Sequence, residues 1–267
     1  MKYGYVTLLS SATYLPGVIA LARSLRETGT KISFECVCSK NINAEVIDTL
    51  HYHKIKTHQL EYSVVDNLPI SNSPEYSHWN YTFDKLFLWD MKEYDKIVFL
   101  DSDMLILSNI DYLFEYPDFS ACRAGFFLNS TWTRLNSGLM VIVPNTETYE
   151  GLKKQLSNTI LKYTKEGKNV GDQDVINDFM PDWPNHSELH LPEGLNMFFK
   201  YLSLAKETGF SFGATEKEKR ISVVHFIGAV KPWNLKGIKK WIYLLKVLIN
   251  NRYGLKICFK YLNFIKL

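Results

Sequence analysis

Asp101 and Asp103 close a short apolar run, Ile97-Val98-Phe99-Leu100. That run is rich in β-branched and aromatic residues and reads as a buried central strand of a parallel sheet. Side chains repeat with period two along an extended chain, so the two carboxylates face the same way. Carboxylates that close repel unless a cation lies between them or one is protonated. The carboxyl edge of an open α/β sheet is also where ligands bind. This chemistry points to a divalent metal holding a phosphate ester. An Asp-x-Asp pair alone is common, and taken alone a loop-capping Asp101 beside a solvated Asp103 is the better explanation. The rest of the chain has to decide.

Four other patterns stand beside the pair. Asn136-Ser137-Gly138-Leu139 opens an apolar strand, and its glycine lets a ligand approach the backbone. Gly171-Asp172-Gln173-Asp174 opens a helix, where acids commonly just complement the dipole. His225-Phe226-Ile227-Gly228-Ala229-Val230-Lys231 joins an imidazole, a glycine and a lysine. Lys85 lies on a helix just before the carboxylate strand. A lone His225 in an apolar strand is more often a satisfied core histidine, and a lone Lys231 is more often solvated.

The elements that must position these groups follow in order. Tyr3 to Leu9 reads as a first strand. Pro16 suits the first turn of a helix carrying Val18, Leu21, Ala22 and Leu25, which Gly29 ends. Lys31 to Cys38 is a strand, Ala44 to His53 a short helix, and Ile55 to Leu60 a third strand. Pro69 to Trp79 is a polar loop. Thr82 to Met91 reads as a helix, with Phe83, Leu86, Phe87 and Asp90 close together. Ile110 to Phe114 is a turn or short helix. Ser137 to Val143 is a strand stopped by Pro144, and Thr148 to Tyr163 is an amphipathic helix. Gly171 to Phe179 is a helix, Leu191 to Phe199 and Phe210 to Phe212 are ambiguous, and Ser222 to Ile227 is a strand. The alternation predicts an α/β fold with a parallel, right-handed start.

The chain has 267 residues, 46% hydrophobic and 22% charged, so it is globular and can bury a large core. Its net charge of +3 is unevenly spread. No acid follows Glu218, and nine Lys/Arg lie from Ile221 onward, leaving 22 basic and 28 acidic groups before it, a net of −6. Cys36, Cys38, Cys122 and Cys258 form no C-x-x-C pair and read as reduced core residues of a cytoplasmic protein. The N-terminus lacks a clean signal-peptide core, and no apolar run reaches the length of a membrane span.

In this order and spacing the motifs resemble glycosyltransferase family 8, the glycogenin and lipopolysaccharide galactosyltransferase group. The matching pieces are Val6-Thr7-Leu8, Tyr14, Lys85-Leu86 with Trp89, Phe99 to Asp103, Asn109-Ile110-Asp111-Leu113-Phe114, Asn136-Ser137-Gly138, Gly171-Asp172-Gln173 and His225 to Trp233. The resemblance covers roughly residues 3 to 234. It implies a GT-A nucleotide-diphospho-sugar transferase fold, with a mixed, mostly parallel central sheet flanked by helices. It also implies a metal-dependent, retaining hexosyltransferase that moves a sugar from a UDP-sugar to a glycan acceptor. Residues 1–235 would form the catalytic domain and 236–267 a basic, aromatic helical tail.

Carried over by that resemblance, Asp101, Asp103 and His225 bind Mn²⁺, with Mg²⁺ as the other candidate. Leu8, Ser10, Ser11, Tyr14, Tyr81, Asp101, Ser102, Gly228 and Lys231 bind the nucleotide. Lys85, Asn136, Ser137, Asp172 and Gln173 hold the donor sugar, and Asp172 and Gln173 carry catalysis. Gln173 matches the family's debated nucleophile or β-face stabiliser. An amide is a poor nucleophile, so a front-face transfer with Gln173 stabilising the anomeric carbon is the expectation. There are departures. Cys122 to Leu135 offers no acid toward the sugar, Asn169 replaces an acid, and no tyrosine aligns with a self-glucosylated position, although Tyr201 lies nearby. A separate acceptor follows, either an oligosaccharide or a lipid-linked glycan of a cell-surface polysaccharide or lipooligosaccharide. The alternatives are a glycogenin-like glucosyltransferase, a nucleotide-sugar hydrolase or nucleotidyltransferase on the same fold, and a non-catalytic membrane-bound module.

The tail carries two basic stripes. One holds Lys239, Lys246 and Asn250, and the other Arg252, Lys256, Lys260 and Asn263 among aromatic residues. Basic, aromatic amphipathic helices lie on anionic membranes, which predicts peripheral attachment at the inner face of the cytoplasmic membrane. The competing expectation is that the first helix packs on the domain and its lysines are the wet side. Nucleic acid is not expected, because no nucleic-acid motif accompanies the stripes.

Overall fold

The structure is a computed structural model that describes residues 1–66, 68 and 80–265. The loop expected at 69–79 and the final Lys266 lie outside those residues. The chain begins β1 (Tyr3–Leu9), α1 (Leu15–Glu27), β2 (Ser33–Cys38), α2 (Ala44–Tyr52) and β3 (Lys56–Gln59). A 3-10 helix (Asn80–Asp90) precedes β4 (Lys96–Leu100) and β5 (Met104–Ile106). Then come β6 (Ala121–Arg123), β7 (Leu135–Ile142), α3 (Thr146–Lys165) and α4 (Asp172–Phe179). The chain closes with β8 (Met197–Phe198), α5 (Leu202–Glu207), β9 (Val223–His225), α6 (Gly237–Asn250) and α7 (Leu255–Phe264).

The main sheet has the order β3-β2-β1-β4-β7-β6. Its first four strands are parallel, and β7 runs antiparallel to both β4 and β6. The buried central strands β1 and β4 read as apolar runs because both sheet faces are covered. One face carries Tyr5, Leu9, Val98 and Leu100 against Val18, Leu21 and Leu25 of α1. The other carries Val6, Phe99 and Met140 against Leu86, Trp89, Leu152 and Ile176. A smaller sheet, β5-β9-β8, packs with α5, α6 and α7 in a third cluster. Helix starts are capped as their sequences demand: Asn43 Oδ1 accepts Val46 N–H at 3.1 Å and Asn145 Oδ1 accepts Thr148 N–H at 2.9 Å.

Three features go beyond what the sequence specified. The helix expected before β4 is a 3-10 helix of 11 residues. Phe83, Leu86 and Trp89 are buried, as are Asp84, Lys85 and Leu88 between them, whereas Phe87 and Asp90 are only half-buried. Strands β5, β6 and β8 are two or three residues long, too short to leave a periodic signal. In the tail, α7 buries Ile257, Cys258, Tyr261, Leu262 and Phe264 in the third cluster, while α6 buries only Leu244 and Val247.

Candidate active site

Two antiparallel pairings build the site at the carboxyl end of β4. Beyond Leu100 the chain turns, with Asp101 N–H donating to Gly138 O at 2.8 Å and Met104 N–H to Asp101 O at 3.2 Å. Pairing of β5 with β9 sets Met104 opposite His225. Pairing of β4 with β7 sets Leu100 opposite Leu139, so the Asn136-Ser137-Gly138 start of β7 lies beside Asp101. The N-terminus of α4 closes the third side. Here Asp174 is a cap: its Oδ2 accepts Gly171 N–H at 3.0 Å.

Asp101, Asp103 and His225 each offer a ligand atom, and these atoms lie within 4.8 Å of one another. His225 Nε2 stands 2.9 Å from Asp103 Oδ1 and 3.7 Å from Asp101 Oδ2. Lys231 Nζ pairs with Asp103 Oδ2 and donates to Phe226 O at 2.7 Å. Burial pushes the Asp103 carboxyl up, but His225 and Lys231 outweigh it and hold the group well below the usual carboxylate range. For Asp101 burial wins and the carboxyl is raised, although Lys85 and His225 oppose it.

The ring orientation of His225 follows from a backbone donor. Gly138 N–H donates to Asn136 Oδ1 at 2.9 Å, which fixes that oxygen as an acceptor. Asn196 Nδ2 donates to the same oxygen at 2.6 Å, so Asn196 must present Oδ1 to His225 Nδ1, 2.8 Å away. Nδ1 therefore carries the proton, and in the neutral ring the Nε2 lone pair faces the two aspartates. Asn196 is 4% exposed. A buried amide inside the apolar stretch Leu195 to Phe199 was the available signal for it, since such groups need partners.

The residues expected on the sugar side share one cavity of about 370 Å³, lined by Lys85, Asp101, Asn136, Ser137, Asn169, Asp172, Gln173 and His225. Lys85 Nζ lies 3.1 Å from Asp101 Oδ1 and 2.6 Å from Asp172 Oδ2. Burial alone would lower its ammonium, but these two carboxylates raise it, so Lys85 stays charged. Ser137 Oγ donates to Asp172 Oδ2 at 2.7 Å, and Ser137 N–H donates to Gln173 Oε1 at 3.3 Å. No side chain fits at Gly138: a Cβ would lie 2.9 Å from His225 Cε1 and 3.1 Å from Asp101 Oδ2.

The nucleotide set is less tightly drawn together. Tyr14 follows β1, with Lys231 Nζ 5.5 Å from its ring centre and the Trp233 ring edge-on at 5.8 Å. Trp233 Nε1–H donates to Thr13 O at 2.9 Å, tying the two loops together. Ser102 is buried, and its carbonyl sits where a Cβ on Gly17 of α1 would come within 2.5 Å. Leu8 is a core residue, Ser11 Oγ caps the turn at Thr13, and Gly228 is exposed at φ +95°. Tyr81 is half-buried at the start of the 3-10 helix. Among the described residues, Leu8, Ser10, Ser11, Tyr81 and Gly228 make no hydrogen bond to the triad or to Lys231.

Residues 5–125 and 127–237 match the model of glycosyl transferase family 8, and the chain belongs to that family. It is 35% identical to glycogenin-1 of Caenorhabditis elegans over 247 residues, covering 88% of this chain and 51% of that protein. It is 31% identical over 241 residues to UDP-glucuronate:xylan alpha-glucuronosyltransferase 1 of Arabidopsis thaliana, covering 87% and 32%. The chain thus spans about half the length, or less, of these relatives. Among solved structures, galactosyltransferase LgtC in complex with donor and acceptor sugar analogs superposes with a TM-score of 0.62 at 16% identity, covering 88% of this chain and 91% of that one. Glycosyltransferase GlyE of Streptococcus pneumoniae TIGR4 gives 0.61 at 18%, covering 97% and 63%. The fold is GT-A.

Proposed function

We propose that this protein transfers a hexose from a UDP-sugar to a glycan acceptor, with retention at the anomeric carbon. The observation that carries this reading is the convergence of Asp101, Asp103 and His225 within 4.8 Å beside a cavity lined by Lys85, Asn136, Asp172 and Gln173. The donor set fits a divalent cation: two carboxylates and an imidazole whose Nε2 lone pair is directed by Asn196. A divalent ion held there, Mn²⁺ or Mg²⁺, supplies Lewis acidity toward the departing diphosphate.

The chain's own residues do the rest. Lys231 is buried and anchored on Phe226 O, so it presents a fixed charge to the diphosphate. Lys85 locks Asp101 and Asp172 in one geometry, which keeps the metal side and the sugar side in register. The backbone of Ser137 holds the Gln173 amide oxygen, a neutral dipole suited to a positive anomeric carbon. In this reading the acceptor attacks the face from which the diphosphate leaves, and no covalent sugar–Gln173 intermediate forms.

The acceptor in this reading is an oligosaccharide or a lipid-linked glycan of the cell surface, reached from a membrane to which the protein binds peripherally. Helix α6 supports the membrane half: Ile238, Trp241, Ile242, Leu245, Leu248 and Ile249 are all exposed on it beside Lys239 and Lys246. No described helix is long and apolar enough to cross a membrane. The four cysteines are free and buried, which suits a reducing compartment such as the cytoplasm.

The test is calorimetric titration of UDP with Mn²⁺ and then with chelator, on the wild type and on Asp103→Asn. Micromolar binding that needs both the metal and Asp103 supports the site. Binding indifferent to the metal sinks it. A product assay with UDP-sugars then separates transfer, which puts sugar on an acceptor, from hydrolysis, which leaves free sugar.

A further inference from the structure

A second concavity lies apart from the donor site. It is a cleft of about 1040 Å³ between α5, the Phe212 segment and the start of α7. Lys206, Arg252, Lys256 and Lys260 line it, with Glu207 as the one acid. Lys206 comes from α5, Arg252 from the turn that joins α6 to α7, and Lys256 and Lys260 from α7. Among the described residues, no carboxylate lies within ion-pair distance of Lys206, Arg252 or Lys256. Lys260 meets Glu27 at 3.2 Å.

The cleft is built on a fixed frame. Buried Asn251 pins the turn: its Nδ2 donates to Phe199 O at 2.6 Å, and its Oδ1 accepts Ser203 Oγ–H at 3.2 Å and Gly254 N–H at 3.2 Å. Tyr253 stacks on Phe212 at 4.8 Å with an interplanar angle of 14°, and Lys206 Nζ lies 4.7 Å from the Tyr253 ring centre. Lys256 and Lys260 stand four residues apart on α7, and Arg252 precedes them in the turn. Like charges at that spacing oppose helix formation, and an anion between them would relieve the cost. An arginine fork and flanking ammonium groups match phosphate oxygens, while the stacked rings give an apolar wall beside them.

We infer that this cleft is a second binding site, for a phosphate ester attached to an apolar or sugar body. Two sources share that chemistry, an anionic phospholipid headgroup and a soluble phosphorylated compound. The inference is independent of the donor-site reading, because none of the cleft residues lines the donor cavity.

The experiment uses the full chain and two probes. One is soluble glycerol phosphate followed by calorimetry. The other is vesicle co-sedimentation, with phosphatidylcholine alone or mixed with phosphatidylglycerol. Arg252→Gln/Lys256→Gln is compared with Lys154→Gln/Lys165→Gln, which removes the same charge from exposed positions of α3 instead. Both substitutions fall on the surface, and UDP titration of each variant checks that the fold is intact. The expected result is that the cleft variant loses affinity for phosphatidylglycerol vesicles by roughly tenfold or more, and the α3 variant by much less. Saturable glycerol phosphate binding that is also lost only in the cleft variant assigns the site to soluble phosphates as well. Response to vesicles alone assigns it to lipid. Equal loss in both variants means diffuse surface attraction, and no loss in the cleft variant means no site. Either result overturns the inference.

Discussion

Asn196 Oδ1 accepts the Nδ1 proton of His225 at 2.8 Å, and the same amide donates to Asn136 Oδ1 at 2.6 Å. One buried side chain therefore sets the imidazole of the Asp101-Asp103-His225 cluster and bonds Asn136, which lines the adjoining cavity. Hydrogen bonds of this kind orient ligating histidines and raise their basicity. Asn196→Leu leaves Nδ1 without its acceptor and frees the ring to turn. Mn²⁺ affinity without nucleotide, read by electron paramagnetic resonance, should fall about 10–100-fold. Asn196→Ala should show the same loss if the leucine packs badly. Unchanged Mn²⁺ binding in two folded variants would remove Asn196 from this role.

Gly138 gives a second, steric test. Its Cβ would approach His225 Cε1 at 2.9 Å, Asn136 Oδ1 at 3.0 Å and Asp101 Oδ2 at 3.1 Å. Those three groups are held by the network above, so they cannot all retreat. Gly138→Ala should cost about 1–3 kcal/mol of stability and weaken metal-dependent UDP binding. Gly213→Ala, where a Cβ meets nothing within 4 Å, is the matched control and should leave both readings alone. Thermal unfolding and calorimetry decide it. A Gly138→Ala protein that behaves like the control refutes the crowding argument.

How far the sequence carried the site depends on where each residue's constraint lies. Asp101, Asp103 and His225 were joined by the family resemblance, not by their types alone, and the structure brings their ligand atoms within 4.8 Å; β4 was legible because a doubly covered strand is continuously apolar. Asn196 was not, because its meaning is the pairing of β8 with β9, through strands only two and three residues long. The segment before β4 was legible as a helix from Phe83, Leu86 and Phe87, but its 3-10 form was not, because spacings of three and four both occur there. The two tail stripes read alike in sequence. Only tertiary packing separates α7, which fills the third cluster, from α6, which leaves its apolar stripe outside.

Two acids away from the triad, half-buried Asp118 and buried Glu193, predict a pH dependence of stability. Burial raises Asp118 from 3.8 to about 6, against hydrogen bonds from Val143 and Phe119 N–H. Burial likewise raises Glu193 from 4.5 to about 7, although Arg123 stands 3.1 Å away and opposes it. Between the unfolded and folded values the native state binds more protons than the unfolded chain, so stability falls as pH rises. The loss should run from about pH 4 to about pH 7 and then level off. Each displaced pKa unit contributes roughly 1 kcal/mol. Glu193→Gln should flatten the upper part of that slope and Asp118→Asn the lower part, in chemical denaturation across the range. A wild type that gains stability through this window contradicts the assignment.

The exposed face of α6 makes the last prediction. Trp241 is 70% exposed, Leu245 56% and Leu248 44%, while Leu244 and Val247 on the adjoining face are buried. Soluble proteins rarely leave such a stripe uncovered. If a bilayer interface covers it, Trp241→Ser/Leu245→Ser should reduce binding to vesicles by roughly tenfold or more, since two large apolar groups no longer leave water. The loss should appear on neutral as well as anionic vesicles, because the interaction is apolar. UDP titration should be unchanged, since α6 lies outside the donor cavity. Removal of charge from the Arg252 and Lys256 cleft should act on anionic vesicles alone. A serine variant that sediments with neutral vesicles as the wild type does would show that lipid is not what α6 meets.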